Sequence, residues 1–223
     1  MNFTKKNKMN LAFMGRGNLG LGVLKELIIK PEVQIKIIVA CDPSEDVPLD
    51  KNVFKELAAE NNIPFYETNN INTDEYKEIF KAKDINLAIA MQWLYTIDSE
   101  IINLCGNGIL NLHGGDLPRY RGNACQAWAI MRGEDKIGVT CHLMKGDKLD
   151  AGPICRKEYL SINLNDNVGD LISQVEDIGI KLVLLTVDDF INNKIKIEEQ
   201  NEKNALYCFP RLPRDGEINW NWT

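Results

Sequence analysis

Long apolar runs are missing from this 223-residue chain, and no stretch reaches the roughly 20 residues that a membrane-spanning helix needs. The start, MNFTKKNKMNLAFMG, sets lysines before a short apolar run but passes straight into glycine and arginine, with no signal-peptide core or cleavage site. Histidine is scarce, with only His113 and His142, and the six cysteines (Cys41, Cys105, Cys125, Cys141, Cys155 and Cys208) include no pair at two-residue spacing. That leaves no zinc ligand set, so no metal is expected, and it points to buried free thiols in a reducing compartment. Excess positive charge is also lacking: the net charge is −6 and the pI near 5.1, which disfavours a nucleic-acid partner held mainly through its phosphates. No internal repeat or low-complexity segment occurs. These absences predict a soluble, cytoplasmic protein without a membrane partner. A hydrophobic content of 44% is enough for one sizeable core, or for a domain with a small appendage.

What is present is an alternation of strand-like and helix-like segments. NLAFM (10–14), QIKIIVA (34–40), IPFYE (63–67), INLAIAM (85–91) and GILNLH (108–113) read as strands. Between them lie helical patterns: LGVLKELIIK, KNVFKELAAENN (51–62), TDEYKEIFKAK (73–83, with Thr73 as N-cap) and SEIINLCGNG (99–108). Such alternation predicts right-handed βαβ units in an α/β fold, an open, mainly parallel, Rossmann-like sheet with helices on both faces. The character then changes. After a helix over 123–134, KIGVTCHLMK (136–145) and GPICRKEYLSI (152–162) read as a hairpin, followed by a long helix over 167–194 that Asn165 or Asp166 can cap. The expected organisation is one catalytic domain over 1–200 and a C-terminal extension over 201–223.

Three places carry chemistry. Gly15, Gly17 and Gly20 fit G-x-G-x-x-G between a strand and a helix, and Asp42 ends the next strand. That pattern suits a dinucleotide and equally suits a tight strand-to-helix turn; a phosphate contact without any nicotinamide is compatible with both. Asn111 and His113 stand at i and i+2 of a strand, so both point to one face at its carboxyl end, where an open sheet binds ligands. An amide and an imidazole there can donate to a developing oxyanion, or simply be a capping Asn and a satisfied core histidine. Asp150, in the small-residue loop KLDAGPI, is a turn former or a base, whereas His142 lacks a polar neighbour at strand spacing and reads as structural. Asn, His and Asp without a metal or a nucleophilic Ser or Cys can move protons and hold an oxyanion, which suits direct acyl transfer to an amine.

NLHGGDLPRYRG followed by GVTCHLMKGDKLDAGPI resembles the formyltransferase family that uses 10-formyltetrahydrofolate, typified by an Asn-x-His-x-x-x-Leu-Pro-x-x-x-Gly segment and a later Asp-x-Gly-x-Ile loop. The resemblance implies a catalytic trio of Asn111, His113 and Asp150. It places the folate pocket on AMQWLYTI (90–97), with Gln92, Trp93, Leu94 and Tyr95 as contacts, and on the MKGDKLDA loop (144–151), with Lys145, Gly146 and Asp147. Trp93 and Tyr95 resemble the aromatic version found in enzymes that formylate nucleotide-linked amino sugars.

The departures from the family pattern bear on the acceptor. Gly115-Asp116 stands where many members have Ser-Leu, as if to widen the loop for a hydroxylated substrate. Arg119 and Arg121 are placed to pair with a diphosphate and Tyr120 to stack, while Gly15, Arg16 and Gly17 line the first loop. The function implied is N-formylation of a nucleotide-linked amino sugar, in lipopolysaccharide or O-antigen biosynthesis, with a homodimer left open. The alternatives are a methionyl-tRNA formyltransferase and a nicotinamide-binding protein. PRLPRDGEINW resembles a segment shared by the sugar and initiator-tRNA branches, whose members usually continue, so a chain stopping at Thr223 is expected to be a short member or a truncated one.

Overall fold

The computed structural model describes residues 8–45 and 47–221; the lysine-bearing start of the chain and the last two residues of the C-terminal extension lie outside them. Nine strands and six helices follow in order: β1 (Met9–Gly15), α1 (Gly17–Ile29), β2 (Val33–Ala40), α2 (Asn52–Glu60), β3 (Phe65–Glu67), α3 (Asp74–Lys83), β4 (Leu87–Met91), α4 (Ser99–Asn103), β5 (Ile109–His113), β6 (Arg121–Gly122), α5 (Cys125–Met131), β7 (Lys136–Leu143), β8 (Ile154–Ser161), α6 (Val168–Ile191) and β9 (Tyr207–Cys208), among the described residues. Seven strands form one sheet in the order β3-β2-β1-β4-β5-β7-β8. β3 to β5 run parallel, and β7 and β8 join antiparallel. The strand order reverses direction at β1 and β4, the place where an open sheet parts to admit ligands.

Every residue of β4 is buried, as expected of a central strand covered on both faces. One face packs Phe13, Ile38 and Ile89 against α1, α2 and α6, and the other packs Met14, Val39 and Ala90 against α3 and α4. Two expected caps differ. Thr73 sits at the N-cap of α3 but its side chain makes no capping bond, and α6 is capped by Asn167, whose side chain accepts from Gly169 and Asp170 in a capping box. Asp166 turns its carboxylate back to the Asn163 amide instead. The helix expected over 99–108 closes at Asn103. All six cysteines are free, five of them buried. Among the described residues no helix is long and apolar enough to cross a membrane.

The chain after residue 200 folds back on the sheet's carboxyl end. β9 pairs in parallel with β6, and Gln200 is buried beneath the loop that joins β7 to β8.

Candidate active site

β5 delivers Asn111 and His113 to one face, and its antiparallel neighbour completes that face. Asn111 is directly opposite His142, and His113 is opposite Thr140. The Asn111 Nδ2 lies 3.1 Å from His142 Nε2. His142 Nδ1 lies 3.0 Å from the Leu143 carbonyl and donates to it. In the neutral ring Nε2 therefore accepts from the Asn111 amide, and on protonation it can donate to a carboxylate instead. That carboxylate is Asp150, which reaches over both rings: Oδ2 is 3.5 Å from His113 Nδ1, and Oδ1 is 3.5 Å from His142 Nε2. Asp150 itself stands at φ +50°, a left-handed conformation uncommon for a residue with a side chain and typical of strained functional positions. The Gly122 amide donates to its Oδ2 at 2.9 Å.

The electrostatics follow from this enclosure. Burial raises the Asp150 carboxyl, but the charge of His113, the contact with His142 and the Gly122 amide outweigh it and bring the group down to about 2. Burial lowers His113, with Asp150 and the Tyr120 carbonyl opposing. At neutral pH the Asp150 carboxyl is therefore ionised. His113 Nε2 donates to the Tyr120 carbonyl at 2.5 Å, with the Cys125 thiol 3.6 Å away. Both ring nitrogens therefore face protein acceptors, and the pocket wall carries Asn111, His142 and Asp150.

Two cavities flank the end of β5. The first, about 270 Å³, is lined by Trp93, Leu94, Tyr95, Lys145, Gly146 and Asp147 together with Asn111, His142 and Asp150, bringing all but one of the expected folate contacts together with two of the three catalytic candidates, while His113 lies buried behind this wall. The exception is Gln92, which turns to the second cavity. That one measures about 550 Å³ and is lined by Asn18, Leu19, Asp50, Gln92, Gly114, Gln126 and Glu176, with Val47, Pro48, Leu49, Leu112, Ile172 and Val175. Trp93 and Tyr95 meet edge to face, with the Trp93 indole nitrogen buried without a partner.

The structure places the expected acceptor contacts differently. Gly115 is small because the His113 ring and the Tyr120 carbonyl fill the space a Cβ would need, so it makes no room for substrate. Asp116 pairs with Lys157 at 2.7 Å and accepts from Tyr159 at 3.1 Å. Tyr120 is buried, bonded to Glu134 at 2.6 Å, and unavailable for stacking. Arg121 is fully buried, its guanidinium taken by Glu202, Tyr207 and Gln200, whereas Arg119 pairs with Glu134 at the surface. At the first loop, Arg16 is buried against the Gln92 carbonyl and Ser44, a Cβ at Gly15 would lie 2.6 Å from the Met91 carbonyl, and Gln92 and Val47 occupy the space above Gly17. Asp42 is held by Lys51 and Asn69. Among the described residues no group of three His, Cys, Asp or Glu side chains is arranged to hold a metal ion.

His142, read along the chain as structural, lies beside Asn111 and Asp150. Its polar partner lies on the neighbouring strand, so the signal was the register of β7 against β5 rather than any spacing within β7.

Comparison with known proteins fits this geometry. The chain is 30% identical over 216 residues to the methionyl-tRNA formyltransferase of Clostridium perfringens, covering 96% of this chain and 69% of that protein. In fold it is similar to the N-formyltransferase of Helicobacter canadensis, solved in complex with folinic acid and dTDP-3-aminofucose (TM-score 0.74, 20% identity, 96% of this chain and 76% of that one). It is likewise similar to a sugar N-formyltransferase from a Shewanella species (TM-score 0.76, 15% identity, 96% and 82%). The formyl transferase family matches over residues 37–187, which span β5, the Asp150 loop and most of α6, and this chain belongs to that family as a formyl-transferring enzyme.

Proposed function

We propose that the enzyme moves a formyl group from 10-formyltetrahydrofolate to the amine of a small nucleotide-linked amino sugar. The observation that carries this reading is the pair of cavities flanking the end of β5, one aromatic and lined by Asn111, His142 and Asp150, the other lined by amides and carboxylates. The aromatic cleft, near the lower end of the usual range for small-molecule pockets (about 300 Å³), suits a flat heterocycle between Trp93 and the backbone of 144–150. The second cavity presents Asn18, Gln92, Gln126, Asp50 and Glu176, groups that hydrogen-bond hydroxyls and attract an ammonium.

The bound donor supplies an electrophilic formyl carbon and a nitrogen leaving group. Asn111, with one amide hydrogen on His142, has the second free for the oxyanion that forms as the amine adds. Asp150, ionised between two imidazoles, removes a proton from the attacking amine and shares it with His113 or His142 until the leaving nitrogen takes it. For His113 itself to donate to the oxyanion, its ring must leave the Tyr120 carbonyl.

Initiator-tRNA formylation is the second reading, favoured by the curated relatives, which match at 25–30% identity over nearly the whole chain. A competition assay decides: charged initiator tRNA and a panel of dTDP-, UDP- and GDP-amino sugars are offered together with 10-formyltetrahydrofolate. Formylation of an amino sugar is expected, and formylation of the tRNA alone would overturn the proposal.

A further inference from the structure

Asp150 is clamped at two points, and both clamps lead to one buried arginine. Its carboxylate accepts from the amide of Gly122, the residue after Arg121. Its backbone carbonyl accepts from Gln200 Nε2 at 2.7 Å, and the same nitrogen donates to the Gly152 carbonyl at 2.6 Å. Gln200 Oε1 in turn accepts from Arg121 Nε at 3.0 Å. The rest of the guanidinium is fixed by Glu202 (2.8 Å) and the Tyr207 hydroxyl (3.0 Å), both from the segment after residue 200. One amide thus bridges a buried cation to the peptide units on either side of Ala151 and Gly152, the first of them formed by the Asp150 carbonyl.

We propose that Gln200 is a positioning residue for formyl transfer, acting through Asp150. The physical case is the φ of +50° at Asp150, which a residue with a side chain holds only when its surroundings over-determine it. The Gln200 amide supplies that constraint: its two hydrogens fix the carbonyls flanking the Asp150–Gly152 turn, and the buried Arg121 fixes the amide's orientation. Loss of the clamp lets the loop relax, and the carboxylate drifts from its seat between His113 and His142. A misplacement of about 1 Å costs roughly 100-fold in rate. Gln200 lines neither cavity and acts through the Asp150 turn, so its larger effect falls on turnover and a smaller one on donor binding. This inference rests on the role proposed for Asp150.

The test is a double-mutant cycle on the full chain, with Gln200→Met, Gln200→Glu and Asp150→Asn alone and combined, and kcat and KM for the folate donor measured on each. Gln200→Met keeps the volume and removes every hydrogen bond. Gln200→Glu keeps the acceptor for Arg121 and removes both donors, so it serves if the methionine variant does not fold. Each is expected to lower kcat by about 10- to 100-fold, leave KM within about 2-fold, and add no further loss to Asp150→Asn. A folded variant with wild-type kcat, or one that costs as much on the Asp150→Asn background as alone, would overturn the proposal. Wild-type turnover by Asp150→Asn itself would instead remove the role of Asp150, an outcome read from a different variant.

Discussion

Two glycine-bearing turns leave the carboxyl ends of β1 and β5, parallel strands on either side of β4, and they differ in what fills them. Around Gly15, Arg16 and Gly17 the missing side chains are replaced by the protein itself: the Met91 carbonyl, Gln92 and Val47 close on the backbone. Around Gly114 and Gly115 the space goes to the side chains of Gln126 and His113, and those side chains face cavities or catalytic partners. The backbone of the first turn is covered by Gln92 and Val47, which themselves line the larger cavity, whereas the second turn is closed by the His113 ring and the Gln126 amide. A glycine marks a close approach; what approaches is decided by the elements that fold over it.

The sharpest break in this comparison comes from side chains at the second turn. Asn111→Ala and Asp150→Asn are each expected to lose about 100- to 1000-fold in kcat while folding normally, as removal of one oxyanion donor does elsewhere. The two losses should not add, since both act on one transition state. Single-turnover formyl transfer checks this, and near-normal turnover by either variant would remove it from the assigned set.

Gly115→Ala and Gly17→Ala compare the turns directly. A methyl at Gly17 meets a φ of +71° and the Gln92 and Val47 side chains, and one at Gly115 meets the Tyr120 carbonyl and the His113 ring. Each is expected to cost about 1–3 kcal/mol of stability by overpacking. Only Gly115→Ala should also lower kcat per folded molecule, because only it displaces the imidazole of His113, to which a catalytic role is assigned by proposal. Denaturant melts paired with active-site titration separate the two effects, and equal losses of kcat would erase the contrast.

Much of this was legible in the sequence. Period-two alternation in GILNLH is enough to put Asn111 and His113 on one face, and the βαβ alternation is enough to put that face at the sheet's ligand edge. His142 was not legible, because the residue it serves lies opposite it on β5, and register is a tertiary fact. Arg119 and Arg121 show the same limit: two residues apart on one loop, one exposed on Glu134 and the other sealed beneath Glu202 and Gln200, whose positions are set some 80 residues later by the returning chain. Asn165, Asp166 and Asn167 are three consecutive capping residues, and only the capping box with Asp170 selects the last.

Acid stability separates the carboxylates of the two regions. Asp150 is depressed from an ordinary carboxylate value to about 2, so its contribution, about 2 kcal/mol, is present above pH ~4 and lost as the pH falls through ~2. His113 is lowered by burial, and a histidine lowered on folding costs stability as the pH drops below ~6.5. Melting temperature against pH should therefore lose part of its slope between pH 4 and 2 in Asp150→Asn. An unchanged slope would mean that the carboxylate is no better stabilised folded than unfolded.

The smallest effect is expected at the other end of the first turn. Asp42 is placed by sequence where a dinucleotide-binding protein keeps its ribose-binding acid. In the structure its Oδ1 is held by Lys51 at 2.7 Å and its Oδ2 by Asn69 at 2.6 Å, in a side chain that is half exposed. Those bonds lower its carboxyl, with the Lys51 contact the larger cause. An exposed pair of this kind adds little to stability. The approach that a pyrophosphate would need over Gly17 is already filled by Gln92 and Val47. Asp42→Ala should therefore shift the melting temperature only slightly and leave formyl transfer within about 2-fold of wild type, surface changes away from packed features being usually near neutral. NAD added at millimolar concentration should give no thermal shift to either protein. A saturable NAD-dependent stabilisation that disappears in Asp42→Ala would show that the first turn opens for a ligand after all, and the contrast between the two turns would fail.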